Sequence, residues 1–77
     1  MMQRLQQLIA SVLSVPAEQL TGASGPATLP EWTSLAHVTI VAAVEEEFHV
    51  QFEMGEILNI KQLDDLARLL GAKGIQA

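Results

Sequence analysis

The segment from Ser34 to Phe48 constrains the fold most, because aliphatic residues recur through it without an intervening Gly or Pro. These residues fall on more than one face of a helix. Such a pattern is typical of a central helix covered on several sides, and also of a helix that lines a pocket for an apolar guest. At 1.5 Å per residue the helix would be roughly 22 Å long. We therefore predict a central helix over this segment, which other elements must cover.

Three further segments have helical patterns of apolar residues. The first predicted helix runs from Met2 to Leu13, and a short one runs from Met54 to Leu58. The last is predicted to begin between Asn59 and Lys61, where Asn59 would cap it, and to end at Gly71. Residues 72–77 are expected to form a frayed tail.

A long loop is predicted from Ser14 to Trp32, since prolines and glycines recur through it. Val15 and Leu20 are expected to anchor this loop to the core. The predicted order is thus helix, long loop, long helix, short helix and helix. Antiparallel packing of these elements gives an all-α fold, a small four-helix bundle.

Length and charge restrict the possible functions. The chain has 77 residues, so residues 1–77 are expected to form a single domain. Nine acidic residues against four basic ones give a net charge of −5, which argues against nucleic acids and anionic membranes as partners. The absence of cysteine excludes disulfides, thiolate metal sites and a cysteine nucleophile. No segment reads as a signal peptide or a membrane span, so a cytoplasmic, monomeric protein is expected.

Thr33 and Ser34 stand where the long loop meets the central helix. Ser34 could simply cap the helix, since serine and threonine are favoured at that position. Thr33 can serve as the cap instead, which would leave the Ser34 hydroxyl available. The backbone N–H groups and the dipole at a helix N-terminus favour a bound or attached phosphate. A phosphodiester on Ser34 would therefore lie in a favourable field.

The run from Trp32 to Phe48, WTSLAHVTIVAAVEEEF, resembles the signature of acyl carrier proteins. That family has Asp-Ser-Leu, then an apolar helix, then Glu-Glu-Glu-Phe at this spacing. The similarity extends through Leu63 and back into the first helix and the Val-Pro-x-Glu stretch from Val15 to Glu18, so it covers almost the whole chain. The resemblance implies the four-helix bundle of this family, with its long loop between helices one and two.

By this resemblance, a phosphopantetheinyl transferase would join 4'-phosphopantetheine from coenzyme A to Ser34. The terminal thiol would carry an acyl or aminoacyl group as a thioester, received from a loading ligase and passed to acyl-transferring enzymes. Tethering would replace diffusion by a high effective concentration at each docked active site. The chain itself would not be an enzyme. Trp32, Thr33 and Leu35 would flank the attachment site.

The chain departs from the family at Thr33, where acyl carrier proteins nearly always have Asp. Ala36 and Thr39 likewise stand where fatty-acid carriers commonly have acids. The first half of the central helix is therefore nearly neutral, and these departures indicate dedicated partners. Trp32 and His37 resemble residues of stand-alone carriers of specialised pathways. The residues predicted to contact partners are Val38, Glu45, Glu46 and Ile57.

Several alternatives compete with these assignments. His37 lies one turn from Ser34, and a Ser–His pair could suggest a hydrolase. No oxyanion-loop motif accompanies it, however, and a partly packed histidine is the simpler interpretation. Trp32 is expected to be a packing anchor, with contact to the arm as its alternative, and Met54 is expected to pack. A rival from another class is a carrier-like interaction subunit that never receives a prosthetic group, with Ser34 only a helix-start residue.

Overall fold

The computed structural model describes residues 2–75, and the regular secondary structure within them is all helical, with no strand. Helix α1 is Met2–Leu13, α2 is Ser34–Phe48, α3 is Met54–Leu58 and α4 is Leu63–Ala72. A short 3-10 helix, Ala17–Gln19, lies in the connection between α1 and α2. The predicted all-α four-helix fold is confirmed, and the predicted bounds of α1, α2 and α3 are correct.

One core joins helices α1, α2 and α4 to the long loop and to the connections on both sides of α3, and Ile57 of α3 packs partly against it. Its members are buried apolar side chains from three helices, the long loop and the connections on both sides of α3: Leu5, Ile9, Ala10, Leu13, Leu20, Trp32, Ile40, Val41, Val44, Phe48, Phe52, Ile60, Leu63, Leu66 and Leu70. Helix α1 packs against α2 and α4. None of the five residues of α3 is buried. Helix α3 therefore lies on the surface of the bundle.

Helix α2 is less deeply buried than its composition predicts. Ile40, Val41, Val44 and Phe48 pack into the core. The beginning of the helix is different, because Leu35 is 78% exposed and Val38 is 61% exposed. The apolar residues that do not face the core thus form an exposed apolar surface at the start of the helix.

The long loop is ordered, because it is bonded to the start of α4. The carbonyl of Ser24 accepts a hydrogen bond from the backbone N–H of Leu63 at 2.8 Å, and that of Gly22 accepts one from Asp64 at 2.9 Å. These contacts satisfy N–H groups that a helix start leaves unpaired. Leu20 is buried and Val15 packs against the core, so both predicted anchors are confirmed.

The prediction for α4 was wrong at both ends. The helix begins at Leu63, and the Asn59 side chain instead donates to the carbonyl of Gly55 at 2.8 Å. Helix α4 continues through Gly71 to Ala72, and the chain turns at Gly74, whose φ is 84°. A left-handed residue just past the helix end is the usual helix stop.

The prediction of a frayed tail was also wrong for residues 72–75, the part of the tail that the structure describes. The N–H of Ile75 donates to the carbonyl of Leu70 at 3.0 Å, and that of Gly74 donates to the carbonyl of Gly71 at 3.0 Å. This pair of bonds is the Schellman motif. Ile75 also packs against the core. Residues 72–75 are therefore ordered, and the prediction for residues 76–77 lies outside the described residues.

Candidate functional site

The start of α2 presents a serine whose hydroxyl is not needed to cap the helix. Thr33 has the extended conformation of a helix cap, and its Oγ1 accepts a hydrogen bond from the N–H of Ala36 at 3.1 Å. Ser34, the first helical residue, is exposed to solvent. The prediction that Thr33 caps the helix in place of Ser34 is confirmed.

Behind Ser34, a buried hydrogen-bond relay connects the loop, α2 and α3. Trp32 is 2% exposed, and its indole Nε1–H donates to Nδ1 of His37 at 2.9 Å. Nδ1 therefore accepts, so in the neutral ring Nε2 carries the proton and donates to the carbonyl of Ile57 at 3.0 Å. Trp32 is thus the packing anchor that its sequence context predicts. His37 has no ring nitrogen left to take a proton from Ser34, which removes the basis of a Ser–His hydrolase.

A groove of about 650 Å³ opens next to Ser34, between the long loop, α2 and α3. Its lining residues come from the loop, from both helices and from the connection after α3: Pro26, Ala27, Trp32, Thr33, Ser34, His37, Val38, Met54, Ile57, Leu58, Ile60 and Lys61. Its volume lies within the range of about 300–1,000 Å³ that is usual for pockets binding small molecules. A group attached to Ser34 would therefore have a surface to lie against.

The structure brings together only some of the residues predicted to act at the site. Trp32, Thr33, Ser34, Val38 and Ile57 all line the groove. Leu35 is adjacent to Ser34 in the chain and exposed, but it does not line the groove.

Glu45 and Glu46 lie away from the groove. Eleven residues of helix separate Glu45 from Ser34, which is about 16 Å along the axis. The Glu45 carboxylate accepts a hydrogen bond from the N–H of Phe52 at 2.8 Å, so it holds the connection after α2. Glu46 is exposed. These two acids therefore belong to a different part of the surface from the groove.

The lining residues that were not predicted for the site include Met54, Leu58 and Lys61. The first two are the ends of α3, four residues apart, and side chains at this spacing share one helix face. That spacing was a usable signal. Met54 is 67% exposed, so the expectation that it packs was wrong. Nothing in the sequence near Lys61 indicates that it would reach the groove.

Other acidic residues near the site are held by partners within the chain. Two hydrogen-bond donors, first the backbone N–H of Glu53 and then the Lys73 ammonium, lower the pKa of Glu56. The backbone N–H groups of Lys61 and Gln62, together with Arg68, lower the pKa of Asp65. The ammonium of Lys73 lies 3.2 Å from the Glu56 carboxylate. The Glu56–Lys73 ion pair links α3 to the end of α4, and the bonds to Asp65 hold the start of α4.

A comparison with protein families shows the family of the chain. A family model described as the phosphopantetheine attachment site matches residues 3–70. The chain belongs to this family. The match confirms the resemblance to acyl carrier proteins, and it makes the chain a carrier domain for a 4'-phosphopantetheine prosthetic group. No curated protein matches the chain.

The residues at the start of α2 fit a phosphopantetheine arm. Ser34 is exposed, its neighbour Thr33 provides the helix cap, and the groove beside it is large enough for a small molecule. The N-terminal N–H groups of α2 and the helix dipole would stabilise the phosphodiester. Trp32, Val38 and Ile57 would line the path of the arm. When bound, the group supplies a thiol that carries an acyl group as a thioester.

Two further observations bear on the site. Among residues 2–75, no group of three or more His, Asp or Glu side chains is arranged to hold a metal ion. None of the helices in that part of the chain is long and apolar enough to cross a membrane.

Proposed function

We propose that Ser34 is the attachment residue and that the carrier domain presents an acyl or aminoacyl thioester to partner enzymes of a specialised pathway. The loading partners are a phosphopantetheinyl transferase and an acyl- or aminoacyl-loading ligase, and acyl-transferring enzymes receive the cargo. The protein acts as a cytoplasmic monomer and does not catalyse the reactions itself. Residues 1–77 form one domain in this proposal.

The observation that carries the proposal is the position of the Ser34 hydroxyl. It lies on an exposed residue at the first position of a 15-residue helix, beside a groove, and its neighbour Thr33 provides the cap hydrogen bond. An enzyme can therefore reach this oxygen without unfolding the helix.

The docking surface in this proposal is mainly apolar. Any enzyme that acts at Ser34 must cover the residues around it, and four of the most exposed large apolar side chains are nearby: Leu35, Val38, Met54 and Leu58. Ile57 extends this surface at the groove. Large exposed apolar patches mark interaction sites. Glu45 and Glu46 would contact only a partner that extends along α2 towards its end.

A specialised pathway is supported by the neutral start of α2. Thr33, Ala36 and Thr39 place no charge around Ser34, and the first turn of α2 contains no acid. A partner with a basic docking patch gains little from such a surface. We infer that the partners of this carrier have docking surfaces of matching apolar character.

The test is an intact-mass measurement after incubation with coenzyme A, Mg²⁺ and a promiscuous phosphopantetheinyl transferase. We expect the mass to increase by one phosphopantetheinyl group in the native chain and in Ser11→Ala, a control that removes an exposed serine from α1. We expect no increase in Ser34→Ala. Modification that persists in Ser34→Ala would refute the assignment of the residue.

The rival function is an interaction subunit that never receives the prosthetic group, and Thr33 favours it because the family's usual acid is missing. Failure of every transferase tested, including the one from the native host, would support this rival. Native protein purified without any prosthetic group would support it independently.

A further inference from the structure

The groove next to Ser34 has an unusual charge for this chain. The sequence contains nine acidic residues, yet no Asp or Glu is among the residues that line the groove. The acids nearest in sequence, Glu31 and Glu53, are adjacent to lining residues without lining the groove themselves. Lys61 is the one lining residue with a formal charge. The wall that faces a tethered group is therefore neutral to positive.

The polar side chains in the wall offer no anionic acceptor to a cation, and those of Trp32, Thr33 and His37 already take part in hydrogen bonds. The indole N–H of Trp32 and both ring nitrogens of His37 are occupied by the relay to Ile57. The Thr33 hydroxyl oxygen already accepts the cap hydrogen bond from Ala36. Side-chain acceptors for an ammonium group are therefore missing or engaged along the wall.

The rest of the wall is aliphatic. Val38 on α2 faces the groove together with Met54, Ile57 and Leu58 on α3, and three of these four are more than 60% exposed. An aliphatic chain tethered to Ser34 would remove this apolar surface from water, which is favourable. An ammonium group in the same position would lose hydration without an anionic partner in the wall and would be repelled by Lys61.

We propose that the groove selects the cargo by charge: it takes an aliphatic acyl group that is uncharged or ends in a carboxylate, and it excludes a cationic aminoacyl group. The inference rests on the proposed attachment at Ser34 and narrows the cargo from the two classes named there. A terminal carboxylate would be stabilised by the Lys61 ammonium.

Three cargoes of nearly the same size test this charge selection. Butyryl, β-alanyl and succinyl groups can be installed on Ser34 from their coenzyme A thioesters by a promiscuous transferase. Butyryl and β-alanyl differ only in a terminal methyl or ammonium group. Two readouts are used: NMR shifts of the Trp32 indole N–H and the Val38 and Ile57 methyls, and the rate of thioester hydrolysis relative to the same thioester on free pantetheine.

We expect butyryl and succinyl to shift the groove signals and to slow relative hydrolysis on the order of tenfold, the lower end of what one apolar group contributes in a pocket. The β-alanyl group should leave the groove signals as they are with the arm alone, and its thioester should hydrolyse as fast as on free pantetheine. Lys61→Gln should weaken the effect of succinyl and leave that of butyryl unchanged, and Lys61→Glu should allow β-alanyl to enter. Equal shifts with β-alanyl and butyryl in the native chain would overturn the inference.

Failure of the attachment proposal would give a different result, namely no transfer to Ser34 from any donor. The groove can still be tested in that case, because the chain has no cysteine and Ser34→Cys provides a unique thiol. Matched haloacetamide linkers ending in propyl or in aminoethyl would be attached to it. Groove shifts with the propyl linker alone support charge selection, and equal shifts with both linkers contradict it.

Discussion

The indole Nε1–H of Trp32 donates to Nδ1 of His37 at 2.9 Å, and this contact fixes more than the two rings. It leaves Nε2–H of His37 to donate to the carbonyl of Ile57, in the last turn of α3. Helix α3 has no buried residue, and besides the partial packing of Ile57 and the Glu56–Lys73 ion pair, this bond joins it to α2. His37 therefore helps to hold the two helices that form the groove.

Two substitutions of His37 separate its hydrogen bonds. We expect His37→Asn to keep an acceptor for Trp32 and to lose the bond to Ile57, whereas His37→Gln should do the reverse. Amide hydrogen exchange in α3 should therefore accelerate in His37→Asn and stay close to native in His37→Gln. His37→Gln should instead shift the fluorescence of Trp32, the only tryptophan in the chain.

His37→Ala should lose both bonds and destabilise the fold by about 1–3 kcal/mol, because it leaves the buried indole N–H unpaired. His49→Asn is the matched control, since His49 is exposed and has a φ of 56°, which asparagine tolerates. If amide exchange in α3 were as slow in all three His37 variants as in the native chain, His37 would not hold this helix.

Local patterns in the sequence predict α1, α2 and α3 and the cap at Thr33, because each depends on residues within a few positions of one another. The start of α4 could be predicted in this way only in part, because the capping box between Gln62 and Asp65 is local. Asn59 has the composition of a cap, but the bonds that begin α4 come from the distant loop residues Gly22 and Ser24 and from Asp65. Contacts between residues about forty apart in the sequence leave no local pattern.

In the functional site too, features set by neighbouring residues were predictable and features set by distant contacts were not. Thr33 and Ser34 are recognisable from their place before an apolar helix. The groove was not predictable, since it forms only when α3 and Lys61 come to lie beside α2. The contact of Glu45 with the N–H of Phe52 was also hidden, because an acidic run at a helix end looks the same in sequence whether or not its members are bonded.

Thr33→Asp tests whether the missing acid limits modification. The variant keeps a side-chain cap and places a negative charge at the helix N-terminus, which should stabilise the fold by about 0.3–1 kcal/mol. If transferases of general fatty-acid synthesis need that charge, kcat/KM for modification of Ser34 should rise about tenfold, as one charge-assisted hydrogen bond would give. Thr33→Asn is the control, because it caps the helix without the charge. A rate increase in both variants would mean that the charge is not what the enzyme recognises.

Val38→Ser and Leu58→Ser test the apolar docking surface. Both side chains are more than 60% exposed, so their loss should change stability by no more than about 0.5 kcal/mol. We expect each to lower kcat/KM for Ser34 modification about tenfold, as loss of an interface anchor would. Met2→Ser, in an exposed apolar residue of α1, should have no effect. Docking would be electrostatic instead if Glu46→Gln lowered kcat/KM more than Val38→Ser and Leu58→Ser and if added salt abolished that decrease.

The stability of the fold should fall in acid because of Asp65 and Glu56. The pKa of each is lowered in the folded chain from ordinary values of 3.8 and 4.5 respectively. A lowered pKa in the folded state contributes stability that is complete above the ordinary value and is lost as the pH falls through the lowered one. Urea unfolding between pH 7 and pH 3 measures this loss. Asp65→Asn should be less stable at pH 7 and less sensitive to acid, and an unchanged pH profile would contradict the assignment.

Gly25 and Gly55 should respond in opposite ways to alanine. A Cβ on Gly25 would collide with the backbone carbonyl of Lys61, which cannot move aside like a flexible side chain. Gly25→Ala should therefore cost about 1–3 kcal/mol and disturb the groove, because Lys61 lines it. A Cβ on Gly55, inside α3, meets nothing within 4 Å, so Gly55→Ala should stabilise α3 by up to about 1 kcal/mol. Thermal unfolding of both variants measures the difference. If Gly25→Ala were as stable as the native chain, the loop would not lie against the segment before α4, and the wall of the groove that this contact supports would need another explanation.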